Sequence, residues 1–355
     1  MNKTTIFFAV LLASLLAGCE VSNLGLKIAE VALEKRMGLD SRDNLQDGLH
    51  VALCGAGSPM PDPERTGPCV AVMAGDTLVV VDAGSGSSRT LTNMAIPQGD
   101  IDAQLLTHFH SDHIDGLGEL AMQRWVTAAN TSPLPVIGPI GTRNIVAGFN
   151  LAYRADGLYR NAHHTDMVAP LSGAGMTANE FKVPEDGKML TVYEKDGLTV
   201  KAFRVSHHPV EPAVGYRFDY KGRSAVISGD TSKSVNVEMA AKGADLLLHE
   251  ALSKELVGLM EKTARKKNLP IIAKIAYDIT DYHTTPVEAA ETASAANVGH
   301  LMYYHVVPAL PAPGMASTFL KGTADTFSGP ITLGVDGSMI SLPANSDDII
   351  ESNLL

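Results

Sequence analysis

The chain has 355 residues, 45% of them hydrophobic and 19% charged, and its formal net charge at pH 7 is −11. This length fits one large α/β domain, and the acidic balance argues against a nucleic-acid partner, because neutralising phosphates takes many lysines and arginines. Three cysteines supply neither a disulfide scaffold nor a cysteine-rich zinc site.

The first residues have the pattern of a secretory signal peptide. Lys3 supplies a positive end, and the apolar run at residues 6–16 is shorter than the roughly 20 residues that a transmembrane helix needs. Residues 16–19, Leu-Ala-Gly-Cys, resemble a bacterial lipobox. That resemblance implies removal of residues 1–18 and attachment of lipid to Cys19. The alternative is an ordinary secretory peptide with a coincidental cysteine.

The predicted location is therefore the bacterial cell envelope, with the chain anchored by its lipid on the periplasmic face. Glu20 follows the cysteine, which by analogy with enterobacterial lipoproteins favours the outer membrane over the inner membrane. We expect residues 19–48 to be a lipidated tether with a short helix. Residues 49–345 are predicted to form one folded domain, and residues 346–355 a tail.

The two other cysteines, Cys54 and Cys69, flank one loop between two predicted strands. In an oxidising compartment they could form a disulfide bond. Two buried free thiols are the alternative, and the sequence leaves the choice open.

The first half of the folded part reads as an antiparallel meander followed by alternating strands and helices. Runs rich in β-branched and apolar residues, separated by turns rich in glycine and proline, predict the opening strands. A strand at 101–106, a helix ending near Ala129 and a strand at 135–137 come next, whereas residues 141–185 look irregular. The opening strands are predicted at 49–53, 69–74 and 77–81.

The second half repeats this pattern of strands and helices. Two halves of this kind imply two mixed sheets packed face to face with helices on the outer faces, a four-layer α/β sandwich. The predicted strands are 198–205, 214–220, 225–228, 246–249 and 301–305, and the predicted helices are 235–242, 254–267 and 286–296.

The most informative stretch is Thr-His-Phe-His-Ser-Asp-His at residues 107–113. Its three imidazoles and one carboxylate are ligands that zinc accepts at about 2.0–2.2 Å. An apolar segment leads into the stretch, and Ile114, Leu117 and Leu120 follow it at helical spacing. The cluster is therefore predicted on a strand-to-helix turn, where rigid elements hold functional residues, and not on a polar surface loop.

Further polar residues lie at the ends of later predicted strands, at 205–210, 228–231, 249–251 and 304–306, and residues 283–286 open a helix. In this order the motifs resemble those of the metallo-β-lactamase superfamily. The similarity is to the branch that contains the tRNA-trailer endonuclease RNase Z, the zinc arylsulfatases and related phosphodiesterases. It extends from about residue 48 to residue 307.

The resemblance implies a centre of two divalent metal ions, zinc before manganese or iron. His207 is preferred to His208 as a ligand, because His207 stands at the strand end and metal sites are built on rigid elements. One ion is assigned to His108, His110 and His207, the other to Asp112, His113 and His305, and Asp230 bridges both.

The resemblance also assigns catalytic roles. Asp112 would orient the attacking hydroxide, His283 would face the substrate, and Glu250 would hold the His283 imidazole. A helix cap at His283 and a solvated Glu250 are the alternatives. Of the other histidines, His249 is expected in the core, and His50 and His300 are expected to be structural or exposed. The pair His163 and His164 fits either the mouth of the site or a surface helix.

We predict hydrolysis of a small ester, a phosphodiester or an aryl sulfate, by hydroxide held between the two metal ions. Lactonase or β-lactamase-type hydrolysis, an RNase Z-like nuclease and a non-catalytic envelope lipoprotein are the alternatives. Export and the lack of a basic arm between Leu134 and Leu198 argue against tRNA as the substrate. The expected partners are a small ester and, through the N-terminal lipid, a membrane, and a homodimer is left open.

Overall fold

A computed structural model describes residues 24–355. The predicted signal peptide and Cys19 lie outside these residues. Residues 24–36 are part of a helix, α1, and are exposed. Contacts within the chain define two compact units, which divide between Asp43 and Asn44. Among the helices of residues 24–355, none combines the length and the apolar character needed to cross a membrane.

The first sheet contains eight strands in the order β15-β14-β1-β2-β3-β4-β5-β6. Neighbouring strands are antiparallel from β15 to β3 and parallel from β3 to β6. Its strands are β1 (Gly48–Gly55), β2 (Cys69–Ala74), β3 (Thr77–Val81), β4 (Ile101–Leu105), β5 (Leu134–Pro139), β6 (Met176–Phe181), β14 (Ser338–Pro343) and β15 (Ile350–Asn353).

The second sheet contains seven strands in the order β13-β12-β11-β10-β9-β8-β7. They are antiparallel from β7 to β10 and parallel from β10 to β13. Its strands are β7 (Met189–Lys195), β8 (Leu198–Arg204), β9 (Val214–Tyr220), β10 (Arg223–Ile227), β11 (Leu246–Leu252), β12 (His300–Val307) and β13 (Ile331–Leu333).

The remaining helices follow in chain order. They are α2 (Ser87–Asn93), α3 (Ser111–Ile114), α4 (Leu117–Thr127), α5 (Thr142–Val168), α6 (Val235–Ala241), α7 (Lys254–Lys266), α8 (Pro270–Asp278), α9 (Pro286–Ala296), α10 (Met315–Phe319) and α11 (Thr323–Thr326).

The two sheets pack face to face because alternate strand residues point to opposite faces. In β1, Val51 belongs to the core cluster between the sheets, together with Val200 and Phe218 of the second sheet. Its neighbour Ala52 points the other way, into a cluster with Leu120 of α4. Helices of the second half cover the outer face of the second sheet in the same way. The predicted four-layer sandwich of two mixed sheets is confirmed.

The segment 141–185 differs from the prediction of irregular structure. It contains α5 and β6. The helix has few buried positions, namely Thr142, Val146 and Gly157, and so lacks the apolar periodicity that a sequence reading depends on. Thr165, at φ 60°, interrupts it near its end.

The chain end also differs from the predicted tail at 346–355. Residues 350–353 form β15, which pairs with β14 along the edge of the first sheet. All four side chains of β15 are exposed, so no alternation of buried and exposed residues marks the strand. Its stability comes from backbone pairing instead.

Cys54 and Cys69, whose pairing the sequence left open, form a disulfide bond with a Cα–Cα distance of 4.9 Å. The bond closes the loop between β1 and β2 at its base. Asp336 also holds this loop, because its carboxylate accepts hydrogen bonds from the backbone N–H groups of Ala56 and Thr66 at 2.9 Å each. The loop is therefore tied to the first sheet at several points.

Candidate active site

The chemistry-bearing side chains meet where strands of both sheets end. His108 and His110 follow β4, His207 follows β8 and Asp230 follows β10, while His305 lies near the end of β12. Apolar strands buried between the sheets run directly into these polar residues. The sandwich thus delivers ligands to one place from two sheets.

A β-bulge directs His305 into the site. Glu250 pairs with Tyr304 and Ala251 with Val306, so His305 is the extra residue of β12. Its φ of 46° is unusual for a residue with a side chain. Bulges near active sites commonly turn one side chain away from the regular ladder.

The possible ligand atoms form compact groups, and within each group all the atoms lie within 4.8 Å of one another. One group joins the first three predicted histidine ligands to the bridging carboxylate, and a second contains the other predicted ligands. A third group shares Asp230 and His305 with these and adds His283. The first is His108, His110, His207 and Asp230, and the second is Asp112, His113 and His305.

Asp230 occupies the centre of this arrangement. Its Oδ2 lies 3.3 Å from Nε2 of both His113 and His305, and 3.8 Å from Nε2 of both His108 and His207. The same oxygen therefore faces histidines of both groups, as a bridging carboxylate requires. His110 completes the first group through Nδ1, which lies 3.1 Å from Nε2 of His108.

The hydrogen bonding of the donor atoms, like the sequence motif, favours a metal ion. Nε2 of His113 and Oδ1 of Asp230 are buried and have no hydrogen-bond partner among the described residues. A buried polar atom without a partner is costly, so such an atom needs an explanation such as an ion. Nitrogen and oxygen donors in this number suit zinc.

The charges of the site also favour a cation. Burial alone would lower the pKa of His113, but Asp230 and Asp82 raise it well above its ordinary value. Burial opposes ionisation of Asp230, yet His305 and His113 hold the pKa of Asp230 well below its usual range. The carboxylates thus create a field that attracts positive charge, whether it comes from a proton or a metal ion.

Asp82 contacts one of the predicted ligands, a contact that sequence reasoning missed. Its Oδ2 lies 2.8 Å from Nδ1 of His113, and its two oxygens accept hydrogen bonds from the N–H and hydroxyl of Thr107. Tyr282 does the same for His207, whose Nδ1 donates to the Tyr282 carbonyl at 3.0 Å. Partners of this kind fix the ring and the tautomer of a ligating histidine.

Glu250 and His283 form the expected pair at the edge of the ligand groups. Oε2 of Glu250 lies 3.2 Å from Nδ1 of His283, and both residues are buried. The other oxygen of Glu250 accepts hydrogen bonds from the backbone N–H groups of Thr231 and Thr284. Burial alone would lower the pKa of His283, but the Glu250 carboxylate raises it above the ordinary value.

The remaining histidines lie away from the ligand groups. His208 is exposed, whereas its neighbour His207 is only 1% exposed. His249 is buried, with Nδ1 2.7 Å from the backbone oxygen of Glu250. Buried His50 and His300 bind the Gln46 carbonyl and the Thr332 hydroxyl. His163 and His164 are exposed on α5.

A cleft of about 230 Å³ opens above the ligand groups. The tied loop between β1 and β2 forms one wall, and the end of α8 with the following residues forms another. Among the described residues that line it there is no lysine or arginine. The lining residues are Ser58, Pro59, Met60, His110, Ser111, Asp112, Asp230, Ile279, Tyr282, His283, His305 and Val307.

Comparison with known proteins gives a consistent result. The family model described as the metallo-beta-lactamase superfamily matches residues 63–273 of this chain. A protein named Ribonuclease Z from Mycobacterium avium (strain 104) is 36% identical over 300 residues, which cover 84% of this chain and 100% of that relative.

Solved structures share the fold. The metallo-beta-lactamase fold protein YhfI from Bacillus subtilis has a TM-score of 0.60 at 20% identity and covers 83% of this chain and 100% of its own. Human tRNase Z, short form, has a TM-score of 0.56 at 23% identity and covers 83% of this chain and 99% of its own. At these identities the likeness concerns the fold alone.

Proposed function

The chain belongs to the metallo-beta-lactamase superfamily and is a metal-dependent hydrolase of that fold, and from this premise we propose that it cleaves phosphodiester bonds in RNA. The observation that carries the proposal is the 36% identity to a Ribonuclease Z along that relative's whole length. The proposal replaces the sequence-based preference for small esters and against nucleic acid. Net charge describes the whole surface and does not exclude local contact with RNA.

Two divalent cations, with zinc as our first assignment, fit the two donor groups around Asp230. When bound, such ions polarise water and neutralise charge on phosphate oxygens. The chain's own contribution is to hold seven donor side chains ready from two sheets. Asp82 and the Tyr282 carbonyl keep two of the imidazoles oriented before any substrate binds.

We assign proton transfer to two side chains that face the cleft. Asp112 lies at the cleft surface, where its carboxylate orients the attacking water and accepts its proton. His283 faces the same cleft and, with its raised pKa, carries the proton that the departing ribose oxygen needs. Glu250 is a positioning residue, because it acts through the His283 imidazole.

Hydrolysis of small esters is the second candidate. Two observations favour it, namely a cleft of about 230 Å³ and the absence of lysine and arginine from its described lining. A small phosphodiester or aryl sulfate would fit this volume and would need no basic surface. RNA, in contrast, must also be held by residues outside the cleft.

A comparison of substrates distinguishes the two candidate functions. The purified chain with zinc is given a tRNA precursor with a 3′ trailer, an unstructured RNA of equal length, bis(p-nitrophenyl) phosphate and p-nitrophenyl sulfate. The proposal expects cleavage of RNA with kcat/KM at least a hundredfold above that for either small ester. The His108→Ala variant, purified identically, controls for contaminating nuclease. Turnover of the small esters with intact RNA would overturn the proposal.

The lipid-anchored envelope location stays a proposal of its own. The Cys54–Cys69 disulfide supports a compartment that permits such bonds. We expect the mature chain in the membrane fraction to carry lipid on Cys19, detected by mass spectrometry of its N-terminal peptide. The Cys19→Ser variant should lack this lipid, and an unmodified Cys19 in the wild-type chain would contradict the assignment.

A further inference from the structure

A helical hairpin is inserted between the two members of the Glu250–His283 pair. It consists of α7 and α8, joined by a short connection at residues 267–269. Its inner side is apolar and packed, because Ala276 of α8 contacts a cluster with Val257 of α7, and Ile279 packs against the same cluster. The base of the hairpin thus continues into the wall of the cleft.

The outer side of the hairpin is also apolar, but it is exposed. Ile271 is 75% exposed, Ile275 50%, Ile272 47% and Leu269 42%. Isolated apolar residues on a surface are ordinary. Four of them lie within seven residues, on one helix and its leading connection, and such a concentration of exposed apolar residues is typical of an interaction surface.

The hairpin that carries these residues is also rich in basic side chains. The segment from Lys254 to Asp278 contains six lysines and arginines against three acidic residues, in a chain whose formal net charge is −11. Lys262, Lys266 and Lys267 are exposed and form no ion pair with any residue in the range 24–355. The hairpin is therefore a basic segment of an acidic molecule.

We propose that the tip of this hairpin, residues 266–275, docks on a membrane surface that contains anionic phospholipid. A helix with lysines beside an apolar face has the composition of segments that lie in the bilayer interface. The isoleucines would enter the acyl boundary while the lysines meet the phosphates of the headgroups. An RNA backbone would satisfy the lysines but would leave the four apolar side chains in water.

The proposal goes beyond the hydrolase activity and does not depend on its substrate. It does connect the membrane to the site, because α8 rises about 1.5 Å per residue from its exposed start to its end in the cleft wall. Ile279, one residue past α8, lines the cleft. Docking would therefore hold the cleft at a fixed height above the lipid headgroups.

The test uses residues 44–355, which form one compact unit with both sheets and all the core clusters. This unit lacks α1 and Cys19, so neither can contribute to binding. We expect it to sediment with vesicles of phosphatidylglycerol and phosphatidylcholine, and far less with phosphatidylcholine alone. Each lysine near an anionic surface contributes roughly a fivefold gain in binding, so Lys266→Gln with Lys267→Gln should weaken partitioning about 25-fold.

Matched variants separate docking from misfolding. Ile271→Ser with Ile275→Ser should reduce partitioning at least tenfold, and the loss should persist at high salt, where the lysines contribute little. Lys182→Gln with Lys188→Gln changes two exposed lysines elsewhere and should leave partitioning unchanged, as should Leu151→Ser on α5. All variants should keep the parent's circular dichroism spectrum and its turnover of a soluble substrate.

Three outcomes would overturn the proposal. The first is no binding of the parent to anionic vesicles. The second is binding that the Ile271 and Ile275 substitutions leave intact. The third is a dimer in sedimentation analysis that these substitutions dissociate, with no vesicle binding, which would assign the exposed apolar residues to a second copy of the chain.

Discussion

The carboxylate of Asp230 faces four imidazoles. His283, in contrast, belongs to only one group of possible ligands, the group that it forms with Asp230 and His305. Removing these two residues should therefore have different consequences. Asp230→Ala should lose bound metal together with activity. His283→Ala should keep both ions and lower kcat by about 10²–10⁴-fold, the range for loss of a general acid. Metal analysis and kinetics on the same preparations would measure this, and equal metal loss in both variants would refute the assigned roles.

Asp82 gives a second prediction, since it touches His113 and no other ligand. Asp82→Asn should weaken metal affinity about 10–100-fold, as is typical when the partner of a ligating histidine is lost. Asparagine tolerates the positive φ of 55° at this position, so the backbone should keep its shape. Competition with a zinc chelator measures the affinity. Asp102→Asn, on β4 beside Lys195, is the matched control, and an equal effect of both substitutions would argue against the role of Asp82.

The predicted ligands could be read from the sequence because each stands at the end of an apolar strand, or in the turn and short helix that follow β4, and belongs to a recognisable spacing. Asp82 also ends a strand, β3, which is the parallel neighbour of β4. The position of Asp82 at a strand end could have been noticed in the sequence. Its contact with His113, which lies 31 residues away, could not. Tyr282 acts on His207 through its backbone carbonyl, and a backbone atom leaves no trace in residue type.

At the scale of elements, the loop between β1 and β2 forms a wall of the cleft and is closed by the Cys54–Cys69 disulfide. A bond that closes a loop of 15 residues is expected to contribute about 3 kcal/mol to the free energy of unfolding. Cys54→Ser with Cys69→Ser should therefore unfold at lower denaturant concentration. The fold should persist, because Asp336 still holds the loop.

Denaturant titration of this variant and of the wild-type chain, each with and without reductant, measures the difference. Reduction should bring the wild-type midpoint close to that of the variant. Identical midpoints for the oxidised wild type and the variant would contradict a stabilising bond.

The elements that the sequence predicted well are those with a buried face. The bounds of β2, β3, β9 and α9 agree with the expectation; β2 and β3 are buried throughout, and most residues of β9 and α9 are buried. α5, α8 and β15 were missed, and each exposes most of its residues. Exposed elements owe their conformation to neighbouring backbone and to packing of a few small residues, which periodicity does not reveal.

At the scale of the whole molecule, the predicted ligands come from two sheets. The first sheet supplies those that follow β4, and the second supplies His207, Asp230 and His305. Ions that bind only the assembled site stabilise the folded chain by mass action, by about 4 kcal/mol at a thousandfold excess over Kd. A chelator should therefore lower Tm by several degrees. His207→Ala should start from a lower Tm and respond less, whereas a chelator that left the wild-type Tm unchanged would show that the two sheets are not linked by metal.

The position of β1 in the sheet affects how the chain folds while it is being synthesised. This first strand of the compact unit lies between β2 and β14, and β14 begins only at Ser338. During synthesis at about 5–20 residues per second, one hydrogen-bonding edge of β1 stays unpaired until the strand that begins at Ser338 has been made. Such an edge invites pairing with other chains. Chaperones that hold the nascent polypeptide are therefore expected to engage it until β14 has left the ribosome.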